Sequence, residues 1–175
     1  MRRTRRGRGT AHKEGALRAR TATGSRAYLT GLLLTGRKVV VVGGGCVARR
    51  RVPKLVEAGA LVEVVAPELH PALGAMAEAG EFTWHARDYA PGDIDGAWYV
   101  LATTDSGAVN AAIVAEAERQ HTYCVRVDSA DEGSAWTPAT GDASGVTVAA
   151  ISTHDPLRAR RIRNRFVELV NEEEL

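Results

Sequence analysis

Three consecutive glycines, Gly43, Gly44 and Gly45, follow directly on Arg37-Lys38-Val39-Val40-Val41-Val42 and precede Cys46, Val47 and Ala48. Gly43, Gly45 and Ala48 fit the G-x-G-x-x-G/A spacing of a turn that cradles a dinucleotide. The chemistry needs small residues at those places. Gly43 permits the tight turn, Gly45 lets backbone approach a pyrophosphate, and Ala48 lets the following helix close on the strand. A helix opening at Cys46 turns its unpaired N–H groups and positive dipole end toward the phosphates. Residues 43–48 are therefore the first candidate cofactor-binding set, and the bland alternative is a glycine turn that merely ends a strand.

Acidic and hydroxyl groups recur at other predicted strand ends. The second strand runs into Ala66-Pro67-Glu68, where an acid serves the adenosine ribose hydroxyls. Glu68 would repel a 2′-phosphate and so favours NAD over NADP; its other reading is a solvated helix cap. Arg49, Arg50 and Arg51 keep NADP open, or simply line the exposed side of their helix. Thr103, Thr104 and Asp105 end the fourth strand, where ligands sit in open parallel sheets. Thr104 or Asp105 equally suits the cap of a helix starting near Ser106. Asp128 follows the fifth strand at the same end of the sheet as the glycine turn. An aspartate there is either a turn residue or a group that handles a proton. The five histidines show no metal-ligand spacing, and His154 is a lone loop residue, so no metal ligand is assigned.

These groups need elements to hold them. A chain of 175 residues with 45% hydrophobic residues has material for one sizeable core, and no apolar run reaches membrane-spanning length. Strands are predicted at 37–42, 61–66, 81–85, 97–102 and 122–127, and helices at 46–58, 70–79 and 106–120. That alternation argues for a parallel sheet covered on both faces. Gly59 ends the first helix, and Pro53 inside it predicts a kink or an early break. Beyond residue 128 the rhythm changes to two short strands, 134–140 and 146–152, joined as a hairpin across 141–145. A last helix starts at Pro156 with Asp155 as its cap. Ile162, Phe166, Leu169 and Val170 recur along it at helical spacing and predict its core-facing stripe.

Residues 1–26 carry nine of the 23 Lys and Arg against one acid, Glu14, and show no apolar periodicity. This predicts a disordered basic tail, able to graze nucleic acid by charge alone but with no specific nucleic-acid site. Cys46 and Cys124 form neither a zinc nor a redox spacing, which fits reduced thiols in a cytoplasmic protein.

Further segments accompany the glycine turn: Val64-Val65-Ala66-Pro67, Ala102-Thr103-Thr104-Asp105 with Val109-Asn110, Tyr123-Cys124-Val125-Arg126-Val127-Asp128, and Ala150-Ile151-Ser152-Thr153. In this order they resemble the siroheme synthase N-terminal domain, the family of precorrin-2 dehydrogenases that often double as sirohydrochlorin ferrochelatases. The resemblance runs from about Tyr28 to Val170. It implies an α/β, Rossmann-like NAD-binding domain over 27–128, and a hairpin and helix over 129–175 that make a homodimer. It implies NAD-dependent oxidation of precorrin-2 to sirohydrochlorin, with ferrochelation as an alternative or additional activity. A non-catalytic dinucleotide-binding regulatory module is the rival outside enzymology.

The resemblance also assigns roles. It places Asp128 at a catalytic aspartate and Ser152 at a serine near the substrate. Precorrin-2 carries acetate and propionate groups, and Arg158 and Arg161, with Arg165, form a basic flank on the last helix suited to pair them. A solvated basic face is the other reading of that flank. The sequence departs from the family pattern at Thr153-His154-Asp155-Pro156, where a glycine-containing stretch and Ser-Pro are more usual, and in having one helix after Pro156.

Overall fold

The computed structural model describes residues 25–153 and 155–172. The basic tail expected over 1–26, except Ser25 and Arg26, lies outside the described residues. So do His154, Glu173 and Glu174.

β1 (Lys38–Val42) lies at the centre of a five-stranded parallel sheet. Around it are β2 (Leu61–Val65), β3 (Thr83–His85), β4 (Tyr99–Ala102) and β5 (Tyr123–Arg126), in the order β3-β2-β1-β4-β5. The four β1 valines are at most 1% exposed and divide by parity. Val39 and Val41 join one apolar cluster with Val62, Val64 and Leu101, closed by Ala48 and Val52 of α1 (Cys46–Glu57) and Leu73 of α2 (Pro71–Glu78). Val40 and Val42 join the other with Val65 and Val100, closed by Ile94 and by Ile113 and Ala117 of α3 (Gly107–Arg119). A strand covered on both faces needs apolar residues at every position, which is why this one shows no alternation.

α1 does not break at Pro53; it continues to Glu57. Val52, fully buried beside the proline, anchors the helix to the sheet and outweighs the missing amide. Gly59 ends it with φ +75°, donating to Val56 while Ala60 donates to Leu55, the paired closure of a left-handed helix end.

The chain forms two compact units, and Leu29–Pro138 is the first. It passes the boundary expected at residue 128 because Ser134 and Ala135 donate to the Cys124 carbonyl along β5. Residues 134–138 are thus held beside β5 instead of opening the hairpin.

The second unit contains β6 (Ala139–Ala143), β7 (Val146–Ala150) and α4 (Pro156–Asn171). The hairpin turns on two residues, Ser144 and Gly145, both at positive φ. That tight turn replaces the five-residue connection expected from sequence. Asp155 caps α4 by accepting the Arg158 amide at 2.8 Å, and Pro156 is its first residue, as expected. The packed face of α4 differs from the expectation. Ala159 is buried, and a Cβ at Gly141 of β6 would lie 2.7 Å from Arg163 and 2.9 Å from Val167. Ile162 and Phe166 remain 41% and 45% exposed. A small hairpin can cover only a narrow stripe, and the aliphatic stem of Arg163 helps fill it.

The turn after β1 is tightly constrained. Gly43 sits at φ +107°, and a Cβ there would lie 2.6 Å from the Thr103 carbonyl oxygen. Gly43→Ala is expected to cost about 2 kcal/mol or more of stability, combining positive-φ strain with a backbone clash. Denaturant unfolding of both proteins measures the difference.

Candidate active site

β1 and β4 are neighbours in the sheet but their following segments leave in opposite senses, toward α1 and α3. A crevice opens at such a switch point, beyond the carboxyl ends of the strands. Here it is a cavity of about 670 Å³. Gly43, Gly44, Gly45, Cys46, Pro67, Glu68, Thr103 and Thr104 line it, so eight of the ten sequence-predicted cofactor residues meet at one place. Ala48 lies behind the lining, fully buried in the core, and Val47 is half-buried beside it.

The three glycines are required for three different reasons. At Gly43 a side chain would strike β4's exit at Thr103. At Gly44 it would lie 2.2 Å from the Glu68 carbonyl, because the segment after β2 crosses here and His70 donates to the Gly44 carbonyl at 2.8 Å. At Gly45 a Cβ would meet nothing within 4 Å. Gly45 is also the N-cap of α1, with no side-chain cap and no acid in the first turn. The other three α-helices are each capped by a side chain: His70, Ser106 and Asp155. Among the described residues α1 is thus the helix whose first-turn donors remain open, and its end borders the cavity. An open helix N-terminus with adjacent free space suits a pyrophosphate.

Thr103 and Thr104 have distinct jobs. The Thr103 hydroxyl donates to the Val42 carbonyl at 2.8 Å, stitching the exit of β4 to that of β1. Thr104 donates to Asn110 Oδ1 at 2.8 Å. The helix cap considered for Thr104 or Asp105 is in fact Ser106, whose Oγ accepts from the Val109 amide.

Asn110 is fully buried and links the cavity wall to Asp128. Its amide donates to the Thr104 carbonyl at 3.0 Å and to Asp128 Oδ1 at 2.8 Å. Arg126, 9% exposed, grips the same carboxylate from Nε at 3.1 Å and Nη2 at 2.9 Å. Arg126 also reaches the Gly107 carbonyl at 3.1 Å and the Glu132 carboxylate. Asp128 itself does not line the cavity; it stands one residue, Asn110, behind Thr104. The fork of Arg126, with help from Asn110, holds its carboxyl down at about 2.

Asn110 and Arg126 were not singled out from sequence for any role. An asparagine at a buried helix position and an arginine inside an apolar strand are the local signals of such a network. Asp88, Tyr89 and His70 also line the cavity without having been anticipated. Arg49 and Arg50 are exposed, and no lysine or arginine lines the cavity among the described residues. Ser152 and the exposed Arg158 and Arg161 belong to the second unit; the Ser152 hydroxyl accepts the Asp155 amide at 3.2 Å just ahead of α4.

A depressed aspartate stabilises the fold above its unfolded pKa, near 3.8, and loses that contribution as pH falls toward 2. Wild type is therefore expected to exceed Asp128→Asn in melting temperature at neutral pH. The gap is expected to close between about pH 4 and pH 2. Parallel thermal melts across that range measure it.

Residues 32–139 match the family model described as "Putative NAD(P)-binding". Over 138 residues the chain is 39% identical to "Siroheme synthase 1" of Aeromonas hydrophila, covering 78% of this chain and 30% of that protein. It is 40% identical over 140 residues to "Siroheme synthase" of Chromobacterium violaceum, covering 79% and 30% respectively. The chain thus spans about a third of the length of these curated relatives. Among solved structures it is similar to "SirC, precorrin-2 dehydrogenase", with a TM-score of 0.70 and 26% identity over 81% of this chain and 70% of that one. The open helix end, the switch-point cavity and these likenesses agree, and the chain belongs to the NAD(P)-binding domain family represented in the siroheme synthases.

Proposed function

We propose that this protein is an NAD-dependent precorrin-2 dehydrogenase that forms sirohydrochlorin, and that it works as a cytoplasmic homodimer. The observation that carries this reading is the uncapped N-terminus of α1 at Gly45, open to a cavity whose far wall leads through Asn110 to Asp128. The likeness to a structure titled precorrin-2 dehydrogenase supplies the substrate class.

The residues present fit a dinucleotide. Gly45 and Cys46 would hold the pyrophosphate by backbone N–H groups, and Glu68 the adenosine ribose. Glu68, Asp88 and Asp105 line the cavity, and this acidic lining supports NAD over NADP through repulsion of a 2′-phosphate. When bound, NAD supplies the acceptor for the hydride that leaves precorrin-2. The proton that departs with it is the task of Asp128. Arg126 and Asn110 orient that carboxylate one residue behind the Thr104 wall, and in this reading it receives the proton and passes it on to solvent. Arg158 and Arg161 pair the acetate and propionate groups of the substrate, with Ser152 as a further hydrogen-bonding contact.

The test is incubation of purified protein with precorrin-2 and NAD, first without and then with ferrous iron. Appearance of sirohydrochlorin and NADH is expected in the first arm, and their absence would reject the dehydrogenase reading. Iron insertion in the second arm would add the chelatase activity.

Two variants separate the roles. Gly45→Asp places a carboxylate at the N-cap in open space, a position that favours aspartate for the helix itself. It is expected to fold with unchanged or higher melting temperature yet to weaken NAD binding at least about tenfold by clash and charge repulsion. Calorimetric titration reads both. Asp128→Asn is expected to retain NAD affinity while turnover falls about a hundredfold or more, the scale of general-base contributions. Steady-state kinetics with precorrin-2 measures the loss, and a wild-type rate would make the carboxylate structural.

A further inference from the structure

The segment joining β3 to β4 carries three carboxylates, and two have side-chain partners within the protein. Asp93 takes both arms of Arg87, at 2.7 and 2.6 Å, and accepts the Ala90 amide at 2.8 Å. Asp95 accepts the Gln120 side chain at 2.6 Å. Asp88 lines the cavity, and its carboxylate has no partner among the described residues.

Its surroundings are nevertheless held firmly. Arg87 donates to the Asp88 carbonyl at 3.0 Å while it grips Asp93. The next residue, Tyr89, donates its hydroxyl to Glu116 of α3, a carboxylate only 5% exposed. The other Glu116 oxygen accepts the Gly92 amide at 2.9 Å. Burial, reinforced by Glu116, keeps the Tyr89 phenol protonated well above its usual range. With its hydroxyl committed to α3, Tyr89 also lines the cavity, alongside Val109.

Order along the sheet supplies the register of a bound dinucleotide. Moving outward from β1 to β2 to β3, the strand exits present the open helix end, then Glu68, then Asp88. A pyrophosphate at the first and a ribose at the second leave the purine beside the third. We propose that Asp88 and Tyr89 form the base-recognition wall of this cavity. Tyr89 and Val109 supply apolar surface for the ring, and the Asp88 carboxylate accepts the exocyclic amino group of adenine. The proposal rests on the dinucleotide reading above. It makes the site selective for adenine over a purine bearing a carbonyl at that position, where two acceptors would face each other.

The test compares NAD with nicotinamide hypoxanthine dinucleotide, which differs by that amino-to-carbonyl exchange, using calorimetric affinities for wild type, Asp88→Asn and Asp88→Ala. Asp88 is exposed, so both variants are expected to fold. Wild type is expected to prefer NAD about tenfold, the scale of one hydrogen bond to a charged group. Asp88→Ala is expected to remove most of that preference by weakening NAD. Asp88→Asn, whose amide can donate to the carbonyl, is expected to narrow or reverse it. Equal wild-type affinity for the two dinucleotides would overturn the proposal while leaving dinucleotide binding intact. Equal weakening of both by Asp88→Asn would overturn it too, by placing the carboxylate at the ribose. Failure of wild type to bind either would overturn the proposal and the dinucleotide reading together.

Discussion

The Thr103 hydroxyl reaches the Val42 carbonyl at 2.8 Å across the exits of β4 and β1, and a side chain at position 43 would forbid this approach. That contact sets how the two halves of the sheet part company. β1 leads into α1 on one face and β4 into α3 on the other, so the crevice between them exists wherever those strand ends are pinned. The cavity lining inherits its shape from it. Gly44 then lets the segment after β2 cross closely above, bringing Glu68 to the same rim. Only Gly45, third in the row, is left with open space, and it is there that the helix leaves its donors unused.

Charge is distributed over this frame in a graded way. The cavity rim carries carboxylates from three strand exits, Glu68, Asp88 and Asp105, while the guanidiniums of Arg87 and Arg126 are turned to carboxylates of the protein itself. Positive potential at the rim therefore comes from the α1 helix end rather than from side chains. Asp128 belongs to a different regime. Clamped by Arg126 and Asn110, its carboxyl is held well below the usual carboxylate range.

Buried polar groups link the rim to the interior. Asn110 is fully buried and uses its side chain on Thr104 and Asp128, so cavity wall and carboxylate move as one piece. Glu116 plays the corresponding part under the Tyr89 loop, tying the segment between β3 and β4 to α3. In both places a buried polar residue of α3 aligns a surface group that would otherwise be free to rotate. α3 thus supports the Tyr89 segment and the Thr104–Asp128 network from a single helix.

The sequence by itself determined the parallel sheet, the turn at Gly43–Gly45, the α1 end at Gly59 and the Asp155-Pro156 start of α4. Each depends on local chemistry: β-branched burial, positive φ, helix capping and the fixed φ of proline. Only the tertiary structure decided what depends on a partner distant in the chain. It let α1 run through Pro53, because Val52 is locked against the sheet. It turned α4 so that Ala159, Arg163 and Val167 meet the hairpin and Ile162 and Phe166 do not, since apolar spacing names a stripe without saying how wide a surface awaits it. It moved the hairpin strand to Ala139, because Ser134 and Ala135 were already bonded to β5. It brought Asp88 and Tyr89 to the cavity and set Asn110 behind its wall, between Thr104 and Asp128. A side chain's role there follows from which strand exits are neighbours, and that order, β3-β2-β1-β4-β5, is set by how the crossovers pack.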